Sequence, residues 1–285
     1  MNAFPRTVVG GISVSRMIIG TNWFLGFSHC TNAKDEAIRE FVMTRQKIAD
    51  IIEVFLKNGV DTIMGLIQRD PLYEGIQDAQ QRTGKKVIVV STPSVPVHSD
   101  TPEKGFYLGE AEKIFDIERS RGSTFCFPHQ STTDALVDRC TRRIRHMDQI
   151  SRMIRDRGMI SGLSTHMPES IVYADESGLD VETYISLYNS MGYLMQVEVD
   201  WILNVIKRAK KPVMTIKPMA AGLLRPLQGL TFVWNTIRPQ DMVTVGTMTP
   251  REAEESIELS LSILEKRDSN VRLQETRSKA SIKSK

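Results

Sequence analysis

The chain has 285 residues, of which 41% are hydrophobic and 25% are charged, and its formal net charge is +3. This length can bury one large core, while a charge this small, part of it in the basic end Lys279–Lys285, gives no basis for binding nucleic acid. No apolar run reaches the ~20 residues that cross a bilayer, the first residues lack the apolar core of a signal peptide, and the three cysteines form no paired motif, so we expect a cytoplasmic protein.

The first part of the chain predicts a small hairpin and one buried strand. Thr7–Ser15 alternates in polarity around Gly10 and Gly11, which is typical of a β-hairpin. Arg16–Gly20 follows as an apolar strand. A long loop is then expected over Thr21–Arg45, with one or two helical turns from Asp35 to Met43, and loops of this length commonly serve as lids or binding loops.

From Gln46 onward, apolar strands alternate with amphipathic helices. Helix Gln46–Asn58 has apolar residues at helical spacing and Gly59 as its C-cap. The predicted strands are Val60–Met64, Lys86–Ser91, Thr124–Phe127, Met159–Leu163, Val181–Ile185, Val213–Lys217 and Met242–Val245. The predicted helices are Pro71–Arg82, Gly109–Arg121, Thr133–Arg157, Pro168–Glu176, Gln196–Ala209, Leu227–Ile237 and Pro250–Leu264.

This alternation predicts an α/β protein with the (β/α)8 TIM-barrel fold and an N-terminal β-hairpin. Strands that are apolar throughout and separated by helices form parallel sheets covered by helices, and eight such units fit a closed barrel. No Gly-x-Gly-x-x-Gly follows a strand, which disfavours an open dinucleotide-binding sheet. We therefore expect a single barrel domain over residues 1–265 and a basic, flexible tail over residues 266–285.

In such a barrel the chemistry lies on the loops that follow the strands. His129 and His166 each follow an apolar strand, and Lys217 ends the seventh strand, so these three are the predicted catalytic residues. Lys217 would act as a base or Schiff-base nucleophile, or would hold an anionic group by charge alone. Asn22, Trp23 and Gln130 lie near the same edge and are the candidate substrate contacts.

The histidines also suggest a metal site. His29, His129 and His166 would supply the three protein ligands of a catalytic divalent ion such as zinc, with Cys30 or His98 as a further ligand. No His-x-His or His-Glu-x-x-His motif is present. The alternative is that His129 hydrogen-bonds a substrate and the other histidines are ordinary loop residues.

Several segments, taken in order, resemble the aldo-keto reductase family over residues 6–265. They are Val14-Ser-Arg-Met-Ile-Ile-Gly-Thr21, Gly162-Leu-Ser-Thr-His166, Tyr188-Asn189, Lys217-Pro-Met-Ala-Ala-Gly-Leu-Leu224 and the segment Val245–Glu255. The resemblance implies a TIM barrel that binds a nicotinamide cofactor and reduces a carbonyl group. It also implies a tetrad of tyrosine, lysine, aspartate and histidine.

Most of that tetrad is not matched here. The aspartate position holds Met64, the tyrosine position Arg69, and the lysine position Thr92 or Pro93, so that only His129 agrees. At the expected nicotinamide site Ser164 matches, while Thr165, Ile185 and Ile216 replace the asparagine, glutamine and stacking tyrosine of the family.

A phosphate-binding groove is still a reasonable expectation. Gly222 and Gly246-Thr247 can offer backbone N–H groups, and Arg251 and a helix start can add positive charge. With Ser164 and Asn189, these residues are the candidate contacts of NADP(H). The alternative is that the glycines only form tight turns.

The leading hypothesis is an aldo-keto-reductase-like barrel enzyme that acts on a small polar carbonyl or sugar-like compound. Hydrolysis, elimination or isomerisation would depend on His129 and His166, with or without a divalent metal. One alternative is an NAD(P)H-dependent oxidoreductase with a rebuilt proton donor such as His129 or Tyr188. Another is a catalytically inactive barrel that serves as a binding subunit. The expected partner is a small molecule, not nucleic acid or membrane, and assembly into a homo-oligomer is left open.

Overall fold

The chain opens with an antiparallel hairpin, as predicted, in a computed structural model that describes residues 3–98 and 100–282. Strand β1 (Arg6–Val9) pairs with β2 (Ile12–Ser15). Val9 and Val14 on this hairpin are buried and belong to the same apolar cluster as the side chains of the barrel interior. The hairpin therefore closes the end of the barrel where the strands begin.

The other strands follow in the predicted order. They are β3 (Met17–Gly20), β4 (Thr62–Gly65), β5 (Ile88–Ser91), β6 (Phe125–Cys126), β7 (Val137–Asp138), β8 (Arg143–Ile144), β9 (Ile160–Ser161), β10 (Leu163–Ser164), β11 (Tyr184–Leu187), β12 (Val213–Ile216) and β13 (Met242–Val245). All except β7 and β8 form one parallel sheet in the order β10-β11-β12-β13-β3-β4-β5-β6-β9.

Gly162 is the point at which this sheet closes into a barrel. The segments β9 and β10 stand at opposite ends of the strand order, yet only Gly162 separates them in the chain. Ile160 pairs with Phe125 of β6, and Leu163 pairs with Tyr184 of β11. One continuous segment thus joins both neighbours, and the predicted eight-stranded barrel is confirmed.

Helices cover the outside of the barrel between successive strands. The α-helices are α1 (Asn32–Val42), α2 (Arg45–Lys57), α3 (Leu72–Thr83), α4 (Leu108–Ser120), α5 (Gln130–Ala135), α6 (Met147–Asp156), α7 (Glu169–Ser177), α8 (Val199–Arg208), α9 (Pro226–Thr236), α10 (Pro250–Glu265) and α11 (Arg277–Ala280). Short 3-10 helices are Trp23–Leu25, Pro102–Lys104 and Ala220–Gly222.

The apolar side chains of the strands divide into two buried clusters. Ile18 and Met242 point into the barrel, where they pack with Val90 and Phe125. Their neighbours along the strands, such as Ile19, point outward and pack against helices. This alternation follows from the two-residue period of a β-strand, and it leaves the ends of the strands free to carry polar groups.

The helix predicted over Thr133–Arg157 is wrong. After α5 the chain forms the short hairpin β7–β8 before α6 begins. The carboxylate of Asp138 accepts the amide N–H groups of Cys140 and Thr141, which bends the chain into a turn. Cys140 is consequently exposed, not packed in a helix as predicted. His146 lies in the left-handed region just before α6, not in the middle of a helix.

The first long loop is more ordered than predicted. Instead of one or two turns after Asp35, it contains the 11-residue helix α1, whose N-cap Thr31 accepts the amide N–H of Lys34. Ile38 and Val42 of this helix are buried. The helix therefore holds the preceding residues, among them His29, against the end of the barrel.

No helix among the described residues is long and apolar enough to cross a membrane. The expected division into a barrel over residues 1–265 and a flexible tail stays a prediction. Within the tail, Arg267 pairs with Glu258 of α10, and the short helix α11 is exposed. Residues 283–285 of the tail lie outside the described residues.

Candidate active site at the carboxyl ends of the strands

A cavity of about 640 Å³ opens at the end of the barrel where the strands finish. Its lining comes from residues that end or follow successive strands, as the barrel topology requires. Polar members of this lining are Thr21, Asn22, Ser28, His29, Thr92, His129, Gln130, Ser164, His166, Lys217, Arg225, Thr244, Thr247, Glu252, Glu255 and Ser256. The structure thus brings the predicted catalytic and substrate residues to one opening.

His29 lies at the exposed rim and is held by two neighbours. Its Nε2 atom is 2.8 Å from Nδ2 of Asn22, and its carbonyl oxygen accepts the hydroxyl of Tyr193. An amide nitrogen only donates, so Nε2 of His29 accepts and the proton of the neutral ring is on Nδ1. Burial, followed by the charge of Lys217, lowers the pKa of His29 to about 4. The ring is therefore neutral at pH 7.

His129 is fixed by the start of helix α5. Its Nδ1 atom accepts the amide N–H of Ser131 at 3.3 Å and lies 2.8 Å from the Ser131 hydroxyl. Since Nδ1 accepts an N–H, the proton of the neutral ring is on Nε2. Burial and the charges of Arg69 and Lys217 lower the pKa of His129. His129 thus offers an N–H donor to the cavity at neutral pH.

His166 is placed by a carboxylate on a neighbouring helix. Asp134 of α5 accepts the backbone N–H of His166 at 3.1 Å and the hydroxyl of Thr165 at 2.5 Å. Burial lowers the pKa of His166 to about 4, and the charge of Lys217 acts in the same direction. The half-buried imidazole is therefore a neutral base at pH 7.

Lys217 follows strand β12 and has an unusual environment. Its backbone adopts φ +60°, a left-handed conformation that is uncommon outside glycine, and its carbonyl accepts the amide N–H of Ala220 at 2.9 Å. Burial lowers the pKa of the amine from 10.5 to about 8, and only the nearby thiol of Cys30 opposes that shift. The cavity therefore contains a lysine that forms no salt bridge with a carboxylate of residues 3–98 or 100–282.

The three imidazoles do not form the predicted metal site. Within residues 3–98 and 100–282, no three His, Cys, Asp or Glu side chains are grouped so that they could hold a metal ion. His29 directs Nε2 to Asn22, and His129 directs Nδ1 to Ser131. His98, proposed as a further ligand, stacks on Tyr107 with ring centroids 4.0 Å apart and is not part of the cavity lining. The residues as placed do not fit a metal ion.

Trp23 lies in the groove that was expected to receive the phosphates of a dinucleotide. A β-carbon placed at Gly222 would lie 3.7 Å from Cη2 of Trp23, and one placed at Gly246 would lie 3.6 Å from Cδ1 of the same ring. The indole therefore lies close to both glycines and occupies part of the cavity in which the phosphates were expected.

The charges beside this groove are mixed, because Arg225 lines the cavity together with two carboxylates. Glu252 and Glu255 line the cavity, and the Glu252 carboxylate accepts the amide N–H of Met248 at 2.7 Å at the start of helix α10. Arg251 is not in the lining, because it is exposed and pairs with Glu254 and Glu255. The helix start is thus occupied by the protein's own carboxylate, and binding of NADP(H) in this groove stays a prediction.

Two further predicted contacts lie away from the cavity. Asn189 is fully buried, and its amide bonds to the backbone of Met191 and Tyr193 in its own loop. Tyr188, considered as a rebuilt proton donor, points outward and donates its hydroxyl to Thr236 of α9 at 3.0 Å. Burial raises the pKa of Tyr188 above the ordinary value of a tyrosine. Neither side chain can reach a ligand in the cavity.

Two of the positions at which the resemblance places tetrad residues line the cavity. They hold Met64, which is 6% exposed, and Thr92. Arg69, at a third position, is not in the lining, and its guanidinium lies 5.6 Å from the centre of the Phe27 ring and lowers the pKa of His129. None of these side chains is the carboxylate, phenol or amine that the resemblance implies.

Some site residues were missed by sequence reasoning. Asp134 positions the loop of His166, Tyr193 holds the backbone of His29, and Glu252 covers a helix start. Asp134 follows His129 by five residues inside a short helix, and that spacing was the available signal. Tyr193 and Glu252 act through contacts between distant segments or at a cap, so no local pattern identified them.

The strands, helices and cavity define a (β/α)8 barrel, and solved structures of aldo-keto reductases share this fold. A protein from Pseudomonas aeruginosa classed as an aldo-keto reductase superposes with a TM-score of 0.61 at 13% identity, covering 91% of this chain and 95% of that chain. An aldo-keto reductase from Brucella melitensis gives 0.58 at 13% identity, covering 91% and 93%.

A third structure, the aldose reductase of Giardia lamblia, gives a TM-score of 0.54 at 12% identity and covers 93% of this chain and 90% of that chain. No protein-family model and no curated protein sequence matches the chain. At these identities the comparisons establish a shared fold, which confirms the predicted resemblance at that level.

Proposed function

We propose that this protein is an enzyme that acts on a small polar carbonyl or sugar-like compound by proton transfer, with His129 and His166 as the principal groups and Lys217 assisting. The observation that carries the proposal is that three imidazoles and one amine line a single cavity at the carboxyl ends of the strands. Perturbed titratable groups gathered in a cleft are typical of catalytic sites.

The roles follow from the protonation states. His129 presents an Nε2–H donor, which suits a carbonyl oxygen that gains negative charge during reaction. His166 is a neutral base and suits removal of a proton from the carbon beside that carbonyl. Because protons can be removed and returned within one cavity, isomerisation or elimination is favoured. Metal-assisted hydrolysis is less well supported, since the described histidines do not group around an ion.

The reductase alternative is supported by the fold that the chain shares with aldo-keto reductases. The indole of Trp23 between Gly222 and Gly246, and the outward position of Tyr188, count against it. The hypothesis of an inactive binding subunit would require that the imidazoles have no chemical role. Substitution of His166 distinguishes this hypothesis from that of an enzyme.

The test is exchange of carbon-bound hydrogen in D₂O. Glyceraldehyde, dihydroxyacetone and pyruvate are incubated with the protein, and loss of the C–H signals is followed by proton NMR. We expect exchange above the protein-free rate with at least one compound, and a loss of roughly 100-fold or more in His166→Ala. His98→Ala serves as the control, because His98 stacks on Tyr107 away from the cavity. Equal exchange with and without protein would contradict the proposal.

A further inference from the structure

We propose that Lys217 is a nucleophile that forms a covalent imine with the carbonyl carbon of the substrate. The inference deepens the proposed function and rests on it only in requiring that the ligand contains a ketone or an aldehyde. The Lys217 side chain lines the same cavity as His29, His129 and His166. An imine with Lys217 would withdraw electrons from the bound molecule, and this needs neither a metal ion nor an organic cofactor.

The backbone holds Lys217 at the cavity. Strand β12 ends at Ile216, one residue earlier, and is bonded on both sides within the barrel by β11 and β13. The turn that follows is tight, because Ala220 donates its amide N–H to the carbonyl of Lys217 at 2.9 Å. The left-handed φ of +60° is uncommon for a lysine and belongs to the turn that follows the strand. The amine is thus presented to the cavity by a rigid element.

The surroundings of Lys217 favour a neutral amine. Among the described residues no carboxylate forms a salt bridge with it. The two acidic side chains of the cavity wall are engaged elsewhere, Glu252 with the backbone of Met248 and Glu255 with Arg251. Desolvation lowers the pKa of Lys217 to about 8. About one tenth of the amine is then neutral at pH 7, against a few parts in ten thousand for an ordinary lysine.

The groups facing the amine can move the protons that the reaction requires. The nitrogen lone pair of Lys217 attacks the carbonyl carbon, the C–N bond forms, and the C=O π electrons move to oxygen. The Nε2–H of His129 protonates that oxygen, and an imidazole removes the extra proton from nitrogen. The imidazolium formed in this way returns its proton to the hydroxyl, which leaves as water while the nitrogen lone pair forms the C=N bond. The resulting iminium N–H proton restores Nε2 of His129, so the net change is amine plus carbonyl giving imine plus water.

A purely electrostatic role for Lys217 is the competing interpretation. A cationic lysine beside neutral imidazoles would also attract a carboxylate or phosphate group. That role requires only the charge, so an arginine would retain much of it. An imine requires a primary amine, so Lys217→Arg separates the two interpretations.

The experiment is reductive trapping on the full chain. The protein is incubated with glyceraldehyde, dihydroxyacetone or pyruvate in the presence of sodium borohydride, and its intact mass is measured. We expect an adduct equal to the mass of the probe less one oxygen atom, and peptide mapping should place it on Lys217. Lys217→Arg and Lys217→Met should lose this adduct. Lys266→Met should keep it, since Lys266 shares a left-handed backbone but is exposed.

The outcomes separate this inference from the proposed function. Lack of a Lys217 adduct with every probe, on protein with native circular dichroism, overturns the imine. If hydrogen exchange that depends on His166 persists in that case, the proposed function stands without it. An adduct on Lys217 without exchange would support the imine and contradict the proton-transfer function. An adduct spread equally over exposed lysines would also overturn the assignment.

Discussion

The side-chain amide of Asn22 lies 2.8 Å from Nε2 of His29, and this contact fixes how the first loop presents its imidazole to the cavity. The amide can donate but its nitrogen cannot accept, so the contact favours a neutral ring. Burial and the charge of Lys217 act in the same direction on the pKa of His29. The protonation state of His29 is therefore set by its neighbours. A substitution at one of these neighbours should change it.

Asn22→Asp should raise the pKa of His29 from about 4 toward its ordinary value of 6.5. A carboxylate at this position would accept a hydrogen bond from the imidazolium and stabilise its charge. NMR titration of the imidazole protons measures the change. Asn235→Asp is the control, because Asn235 bonds only the carbonyl of Thr231 on helix α9. An unchanged His29 titration in Asn22→Asp would contradict the assigned contact.

His166 should make the fold less stable in mild acid. Its pKa of about 4 lies below the ordinary 6.5, so the unfolded chain binds the proton more tightly, and stability is lost as the pH falls from 6.5 to about 4. His166→Gln should reduce that loss by about 1 to 2 kcal/mol, a value discounted for the partial exposure of the ring.

Urea unfolding of wild type and His166→Gln at pH 6.5 and 4.5 measures this effect. Asp134 has a raised pKa and acts in the opposite direction, but it is present in both proteins and cancels in the comparison. His29 also has a lowered pKa, and like Asp134 it is present in both proteins. An identical acid response in the two proteins would show that His166 is not desolvated.

Lys217→Met should stabilise the fold and abolish the proposed reaction. The substitution removes a charge that is taken from water without a partner and keeps an unbranched side chain of similar length. We expect a gain of about 1 to 3 kcal/mol in the free energy of unfolding at pH 7. The gain should shrink as the pH rises from 8 to 10.5, where the wild-type folded amine is already neutral.

Chemical denaturation at pH 7 and 10 tests that dependence. Lys266→Met, at an exposed lysine that also has positive φ, should change the free energy of unfolding by less than about 0.5 kcal/mol. A destabilised Lys217→Met protein would mean that the amine has a stabilising partner.

Trp23→Ala should improve the binding of NADPH. Removing the indole would open the gap between Gly222 and Gly246 and expose their backbone N–H groups. We expect wild type to leave the emission of NADPH unchanged at micromolar concentration, while the variant enhances it. Phe41→Ala removes an exposed aromatic residue elsewhere and is the control. Micromolar NADPH binding by wild type would instead favour the reductase alternative.

Gly162→Ala should weaken the closure of the barrel. A β-carbon at Gly162 would overlap the ring of Phe127, which is fully buried in the barrel interior. We expect a loss of about 2 to 3 kcal/mol, measured by urea unfolding, because the ring has no space into which to move. Gly109→Ala on helix α4 meets no atom within 4 Å and should stabilise by about 0.5 to 1 kcal/mol. Equal effects would contradict the crowding at Gly162.

The fold could be predicted because it depends on local patterns. Apolar strands such as Met242–Val245 and helices such as Pro250–Glu265 have their own periodicity and caps. The pattern failed between Thr133 and Arg157, where polar arginine-rich sequence resembles a helix surface. The decisive interaction there is the bond from the Asp138 carboxylate to two backbone N–H groups, and composition does not show such a turn.

The site was predictable only in its location. Topology alone brings His129, His166 and Lys217 to one opening, since parallel strands end at the same face. The direction of each ring nitrogen depends on a partner from another segment, as with Asn22 and His29. For this reason the shared cavity was foreseen, while the absence of a three-ligand group among the described residues was not.

The indole of Trp23 has a consequence for how such a catalyst would fit into metabolism. Reductases must exchange spent nicotinamide for fresh after each turnover, so their rates follow the cellular ratio of its two oxidation states. In this chain the indole of Trp23 lies beside Gly222 and Gly246, at the place where the family resemblance would put the phosphates of such a cofactor. If the proposed function is correct, the reaction rate would depend on the concentration of the substrate alone. It would not change with the cellular ratio of reduced to oxidised nicotinamide.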